Sequence, residues 1–187
     1  GLFVLQGAEV STREEVHCLV FFENPAELEL FQEYLDDNIP AVMNDPLIFG
    51  DQVVIDEKEY IIYTEEKLLT NATNISIGEL EKYVHARGGL FIPAHIDRVR
   101  TSIYSQLGFL PEDLNADALE VSKRSTPEKF SRIHPEIKAY PLITNSDSHY
   151  PESIGTVYNC LEMKELSFGE IKMALKGIDG RRIRKKC

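Results

Sequence analysis

Tryptophan is absent from the 187 residues, methionine and cysteine occur three times each, and no apolar run approaches the roughly 18 residues of a membrane helix. These absences exclude a helical membrane span, and no secretory leader is visible. Cys18, Cys160 and Cys187 lack ligand-like spacing and leave one thiol over in any pairing, which suits a reducing compartment. A soluble cytoplasmic protein is the expectation. Basic residues are also scarce: 20 Lys and Arg against 31 Asp and Glu give a formal charge of −11. Duplex binders need a basic face to displace counterions, so the charge argues against a nucleic-acid polymer as partner. A bound divalent cation would still let so acidic a chain accept a small anionic substrate. The basic run in the tail 180–187, Arg181, Arg182, Arg184, Lys185 and Lys186, reads as a solvated end.

What is present suffices for one core. Hydrophobic residues make up 43% of the chain, and nothing in the punctuation divides 1–187 into two domains. A complete eightfold α/β barrel takes about 250 residues, and the chain opens on Gly1 and the apolar residues Leu2 to Leu5, so it reads as part of something longer.

Turn and cap signals divide the sequence into alternating elements. Leu2 to Gln6 reads as a short strand broken by Gly7, and Val16 to Phe22 as a second strand stopped at Glu23, Asn24 and Pro25. Asn24, Pro25 and Glu27 start a helix with Leu28, Phe31 and Leu35 on its apolar stripe. Residues 38–74 break the rhythm. Their two β-rich runs, Gln52 to Ile55 and Tyr60 to Thr64, predict a hairpin inside a lid-like insert. Ser76 with Glu79 caps a helix that stops at Gly88, and strands follow at Leu90 to Ala94, Ala118 to Val121, Tyr140 to Thr144 and Thr156 to Met163. Ser125 or Thr126 with Pro127, and Ser167 with Glu170, start the helices between and after them. This alternation predicts a parallel sheet with right-handed crossovers, open or closed into a barrel.

Five metal-capable side chains, Glu9, His17, His95, Asp147 and His149, lie where the chain leaves predicted strands. In α/β barrels such groups collect at one mouth, where metal-assisted chemistry is done. Asp147 and His149 form a D-x-H that places an oxygen and a nitrogen ligand on one side; a simple loop hydrogen bond is the plain alternative. A strand-end histidine such as His95 or His17 is equally compatible with a hydrogen-bonded core residue. His85 reads as a solvent-facing helical residue, and no serine has an adjacent base in sequence, so a serine hydrolase is unsupported.

The stretch Gly7, Ala8, Glu9 with Glu14, Glu15, Val16, His17 resembles the G-x-E and E-E-V-H segments of the polymerase and histidinol phosphatase (PHP) family. Pro93, Ala94, His95 and Ser146, Asp147, Ser148, His149 resemble its A-H and S-D-x-H segments. The resemblance implies a distorted (β/α)7 TIM-like barrel, here without its N-terminal β-α units, that hydrolyses phosphate esters with a metal-activated water. It implies Glu9 as a bridging ligand, His17 and His95 on one metal, Asp147 and His149 on others, with Glu9, Asp147 and His149 catalytic. The family's H-x-H and two further histidines have no counterpart, so up to three Zn, Mn or Fe ions in an intact member reduce to one here. Arg98, or Lys123 with Arg124, is expected to steer the phosphate of a small phosphomonoester or nucleotide. Two alternatives stay open: a non-catalytic metal- or phosphate-binding module, and a barrel hydrolase of C-N bonds with a bridging lysine, for which only Lys123 is placed.

Overall fold

Strand β1 (Gln6–Ser11) runs through Gly7 instead of ending there, because a glycine is what its partner strand β2 (His17–Phe22) requires at that point. A Cβ on Gly7 would stand 1.9 Å from the carbonyl oxygen of Val20, so no side chain fits beneath the ladder. Gly7→Ala is expected to push the strands apart and cost about 1–3 kcal/mol, read as a lower urea midpoint.

The computed structural model describes residues 2–184. After β2 follow α1 (Pro25–Asn38), α2 (Pro46–Phe49), β3 (Val53–Ile55), β4 (Ile61–Thr64), α3 (Ile77–Ala86), β5 (Leu90–Pro93), α4 (Ile103–Leu107), β6 (Leu119–Glu120), α5 (Pro127–Ile133), β7 (Leu142–Ile143), β8 (Cys160–Glu162), α6 (Phe168–Lys176) and β9 (Arg182–Arg184). The caps lie where the sequence puts them: Asn24, Ser76, Thr126 and Ser167 each accept a backbone N–H of the first helical turn.

The expected closed (β/α)7 barrel is not formed. Strands β1, β2 and β5 make an antiparallel sheet, and only β6 and β7 pair in parallel among the described residues. Residues 12–16 alone join β1 to β2, and a parallel partner would need a crossover of about a dozen residues or more, so this pair can only be a hairpin. Backbone bonds from Asp117 N–H to Phe91 O and from Ile96 N–H to Glu120 O connect β5 to β6, giving an open, curved arrangement.

Alternation along β1 and β2 sends Val10, Cys18, Val20 and Phe22 to one face, where α1 and α3 cover them with Phe31, Leu35, Leu80 and Val84. The opposite face carries Leu19, Phe21, Leu90 and Ile92, packed against Phe168 and Leu175 of α6. The predicted hairpin is present as β3 and β4 with every residue exposed, and no residue of 38–74 lines the cavities described below.

The predicted solvated tail is different in its first part. Arg181 is buried: its Nε and Nη2 bind Glu170 at 2.9 and 2.6 Å, and Arg182 to Arg184 form β9 against β8. Lys185 and Lys186 lie outside the described residues. The Arg181 guanidinium, with the N–H of Lys164, holds the Glu170 carboxyl down at about 2. A carboxyl lowered on folding stabilises fully above its unfolded value of about 4.3, and this contribution disappears as pH falls toward 2. Glu170→Gln should therefore flatten the acid branch of the stability curve between pH 4.5 and 2, followed by urea melts at stepped pH.

Candidate metal centre

Glu9 does not stand beyond a strand end; it sits within β1, opposite Leu19, while His17 opens β2 opposite Ser11. Cross-strand partners share a face, so the period of two puts Glu9 and His17 on the same side of the hairpin. His95 arrives from the end of β5, the neighbour of β2. One carboxylate oxygen of Glu9 serves both rings, at 2.9 Å from His17 Nδ1 and 3.1 Å from His95 Nε2. These bonds, His17 first and His95 second, hold the Glu9 carboxyl well below the usual carboxylate range in spite of its partial burial.

One ligand atom from each of Glu9, His17 and His95 lies within 4.8 Å of the others. Ligands of one zinc-sized ion stand about 3–4 Å apart, so a small inward movement closes the set, and one carboxylate with two imidazoles leaves a position for water. His95 supplies a second indication. It is 2% exposed, its Nδ1 has no hydrogen-bond partner, and its backbone adopts the left-handed φ of 32°, a conformation that costs a non-glycine residue about 1–3 kcal/mol. Strain and an orphaned buried nitrogen are tolerated where surrounding structure fixes a residue for use. The residues fit a divalent cation.

Asp147 and His149 stay outside this cluster. Asp147, also at a left-handed φ of 47°, is ion-paired with Arg98, and His149 Nδ1 stands 3.7 Å from Asp147 Oδ1 on an exposed loop. Asp147 nevertheless shares a cavity of about 360 Å³ with Glu9, His95, Glu120 and Asn145. A neighbouring cavity of similar size is lined by Arg98, Lys123, Arg124, Asp147, His149 and Tyr150. The loops after β5, β6 and β7 thus open at the carboxyl ends of their strands, where open α/β sheets bind ligands. Lys123 donates to the Ser146 carbonyl at 2.7 Å, so it ties two loops together and is no bridging lysine of a C-N hydrolase.

Sequence reasoning misplaced or missed three features. His85 is not a solvent-facing residue: it lies between Asp117 at 2.9 Å and Glu81 at 3.4 Å. Arg100 joins Arg98 and Arg124 around a third cavity. Glu120, buried at the end of β6, borders the metal-capable cluster; a carboxylate inside the apolar run Ala118 to Val121 was its signal.

No family model matches the chain. The uncharacterized protein YqxK of Bacillus subtilis (strain 168) is 28% identical over 190 residues, covering 96% of this chain and 43% of that protein. Among solved structures, the lesion-specific endonuclease PfuEndoQ from Pyrococcus furiosus aligns with a TM-score of 0.69 and 24% identity over 95% of this chain and 40% of the other. Endonuclease Q in complex with a 27-mer duplex substrate, with an abasic lesion at the active site, aligns with a TM-score of 0.69, 23% identity and the same coverage. The chain therefore shares a fold with these proteins and spans about two fifths of their length.

The last of these runs against the expectation of a small phosphorylated partner and of a nucleic-acid polymer as an unlikely one. A neighbour of this fold holds a duplex, and net charge was the wrong quantity to weigh. Arg98, Arg100, Lys123 and Arg124 gather on the loops after β5 and β6, beside the carboxylates of Asp97 and Asp147, so basic side chains stand at the mouth of an acidic chain. Among the described residues no helix is long and apolar enough to cross a membrane.

Proposed function

We propose that this chain carries the metal-binding part of a PHP-type phosphodiesterase that hydrolyses nucleic-acid backbone. The observation that carries the reading is the convergence of Glu9, from within β1, with His17 at the start of β2 and His95 after β5. The likeness to endonuclease Q supplies the substrate class. A divalent ion, Zn, Mn or Fe, would be held by Glu9, His17 and His95, and when bound it would supply Lewis-acid polarisation and a water of lowered pKa.

The chain's own residues account for the rest of the work. Arg98 and Arg124 face the cavity beside the cluster and hold a backbone phosphate; Arg98 is kept in place by Asp147. His149 lines the same cavity as Arg98 and Arg124 and is the candidate proton donor to a leaving oxygen. Leu19 and Phe21 form the apolar wall of the cavity that Glu9 and His95 line.

The test uses a fluorescently labelled duplex with one abasic site, the same duplex without it, and p-nitrophenyl phosphate as a monoester. Metal-dependent nicking of DNA that is absent in His17→Ala, without phosphate release from the monoester, is the expected result. Monoester turnover with intact DNA would reject the nucleic-acid substrate. Arg124→Ala should lower duplex affinity uniformly across sequences and reduce the salt slope by about 1, measured by anisotropy from 50 to 200 mM salt.

A further inference from the structure

Every buried acid among the described residues except one has a cationic or histidine partner. Glu81 and Asp117 share His85, and Glu170 holds Arg181. Glu120 is 4% exposed and has no ion pair. An uncompensated buried carboxylate is costly, so its two contacts are informative. One oxygen accepts the backbone N–H of His95 at 3.0 Å, and the other accepts the Asn145 side-chain amide at 2.8 Å. Asn145 in turn accepts from Asn159 at 3.0 Å, and Asn159 also bonds both backbone groups of Thr144.

These contacts run across the ends of three strands. Glu120 terminates β6, His95 follows β5 and Asn145 follows β7; the two loops held by Glu120 are those that carry His95 and Asp147, two of the three non-glycine residues with left-handed backbones on the loops at the mouth, Thr101 being the third. We infer that Glu120 is the positioning residue of the metal centre: its carboxylate fixes the His95 backbone in the conformation that turns the imidazole toward Glu9, and couples that placement to the Asp147 loop through Asn145. The inference rests on the metal-centre reading above, and it assigns a role to a residue that touches neither the ion nor the substrate.

The chemistry makes the two obvious variants unequal. A carboxylate offers two acceptors, and both are used. In Glu120→Gln one acceptor becomes a donor. The backbone N–H of His95 cannot turn away, so the remaining oxygen stays with it; the new amide hydrogens then face the Asn145 amide, whose own oxygen is engaged by Asn159. Glu120→Ala removes both contacts. Glu120→Gln should keep His95 in place and loosen Asn145, whereas Glu120→Ala should release both.

Two measurements separate this inference from the functional reading. The first is amide hydrogen exchange by NMR on the metal-free full chain, comparing wild type with Glu120→Gln, Glu120→Ala and the remote core variant Ile137→Val. Exchange of the His95 amide should accelerate on the order of tenfold or more in Glu120→Ala, relative to the global rate, and not in Ile137→Val. The second is Co²⁺ titration followed by visible absorption, where Glu120→Ala should bind about 10–100-fold more weakly with an altered spectrum and Glu120→Gln should recover part of the loss. Unchanged His95 exchange overturns the inference, as does faster exchange with unchanged Co²⁺ affinity. A wild type that takes up no Co²⁺ removes the metal-centre reading, while exchange still decides whether Glu120 holds His95. If Glu120→Ala fails to fold, a loss of protection around Asn145 with His95 retained in Glu120→Gln supports the inference, and unchanged protection at both rejects it.

Discussion

Glu9→Gln should abolish stoichiometric metal. Replacing the carboxylate removes the only charge in a cluster otherwise composed of two imidazoles, and leaves a neutral amide oxygen as a much weaker ligand for a cation. Losing a supporting partner alone typically weakens metal affinity by about 10–100-fold, and loss of the charged ligand itself is expected to exceed that. Metal per chain by elemental mass spectrometry after exhaustive dialysis, followed by titration with Zn²⁺ and Mn²⁺, reads the effect. The His17→Ala, His95→Ala double variant should behave alike. A wild type that is well folded and metal-free would end the argument for a metal centre on these residues. Retention of metal in both variants would move the site elsewhere in the chain.

Phe91→Ala is expected to have the largest effect on stability. Phe91 is fully buried in the central strand β5, between the hairpin and β6, and packs in the core formed with α1 and α3. Truncating a buried phenylalanine costs about 3–5 kcal/mol, from lost transfer energy and the cavity left behind. That is a large part of the roughly 5–15 kcal/mol that holds a domain folded. The same strand delivers His95, so the variant should weaken metal affinity along with stability. Urea unfolding of the metal-free protein, compared with Ile92→Val on the other face, measures the first effect; a change below about 1.5 kcal/mol would mean that this core re-packs. Ile92→Val should cost only about 0.5–1.5 kcal/mol.

The local signals in the chain were more legible than the arrangement they build. Asn24, the Ser76 and Glu79 pair, Thr126 with Pro127, and Ser167 all announce their helices, because a cap is a contact within three or four residues. The hairpin of β3 and β4 was readable for the same reason. Strand direction was not. It depends on whether residues 12–16 can carry a crossover, and an expectation drawn from alternating elements passed over that short link. Gly7 was misread as a strand end because glycine marks both a break and a close approach, and only the nearness of Val20 O distinguishes them. At the site, Glu9, His17 and His95 could be picked by residue type, but Asp147 could not be separated from them without its ion pair to Arg98. Glu120 was missed because Ala118 to Val121 was read only as a buried strand, and the acid inside that run was not asked what its burial served. Charge misled for a different reason, since a sum over the chain erases where the arginines stand.

The three ligands differ widely in their separation along the chain. Glu9 and His17 are 8 residues apart on a single hairpin, while His95 is 86 residues from Glu9. Isolated hairpins close in about 1–10 μs, whereas a contact between residues so far apart in the chain forms more slowly, since it needs much of the intervening chain to be placed first. On this ground Glu9 and His17 are expected to become neighbours before His95 joins them. The arrival of β5 beside β2 then adds the third side chain of the cluster. The order in which the ligands assemble is written into their spacing along the chain.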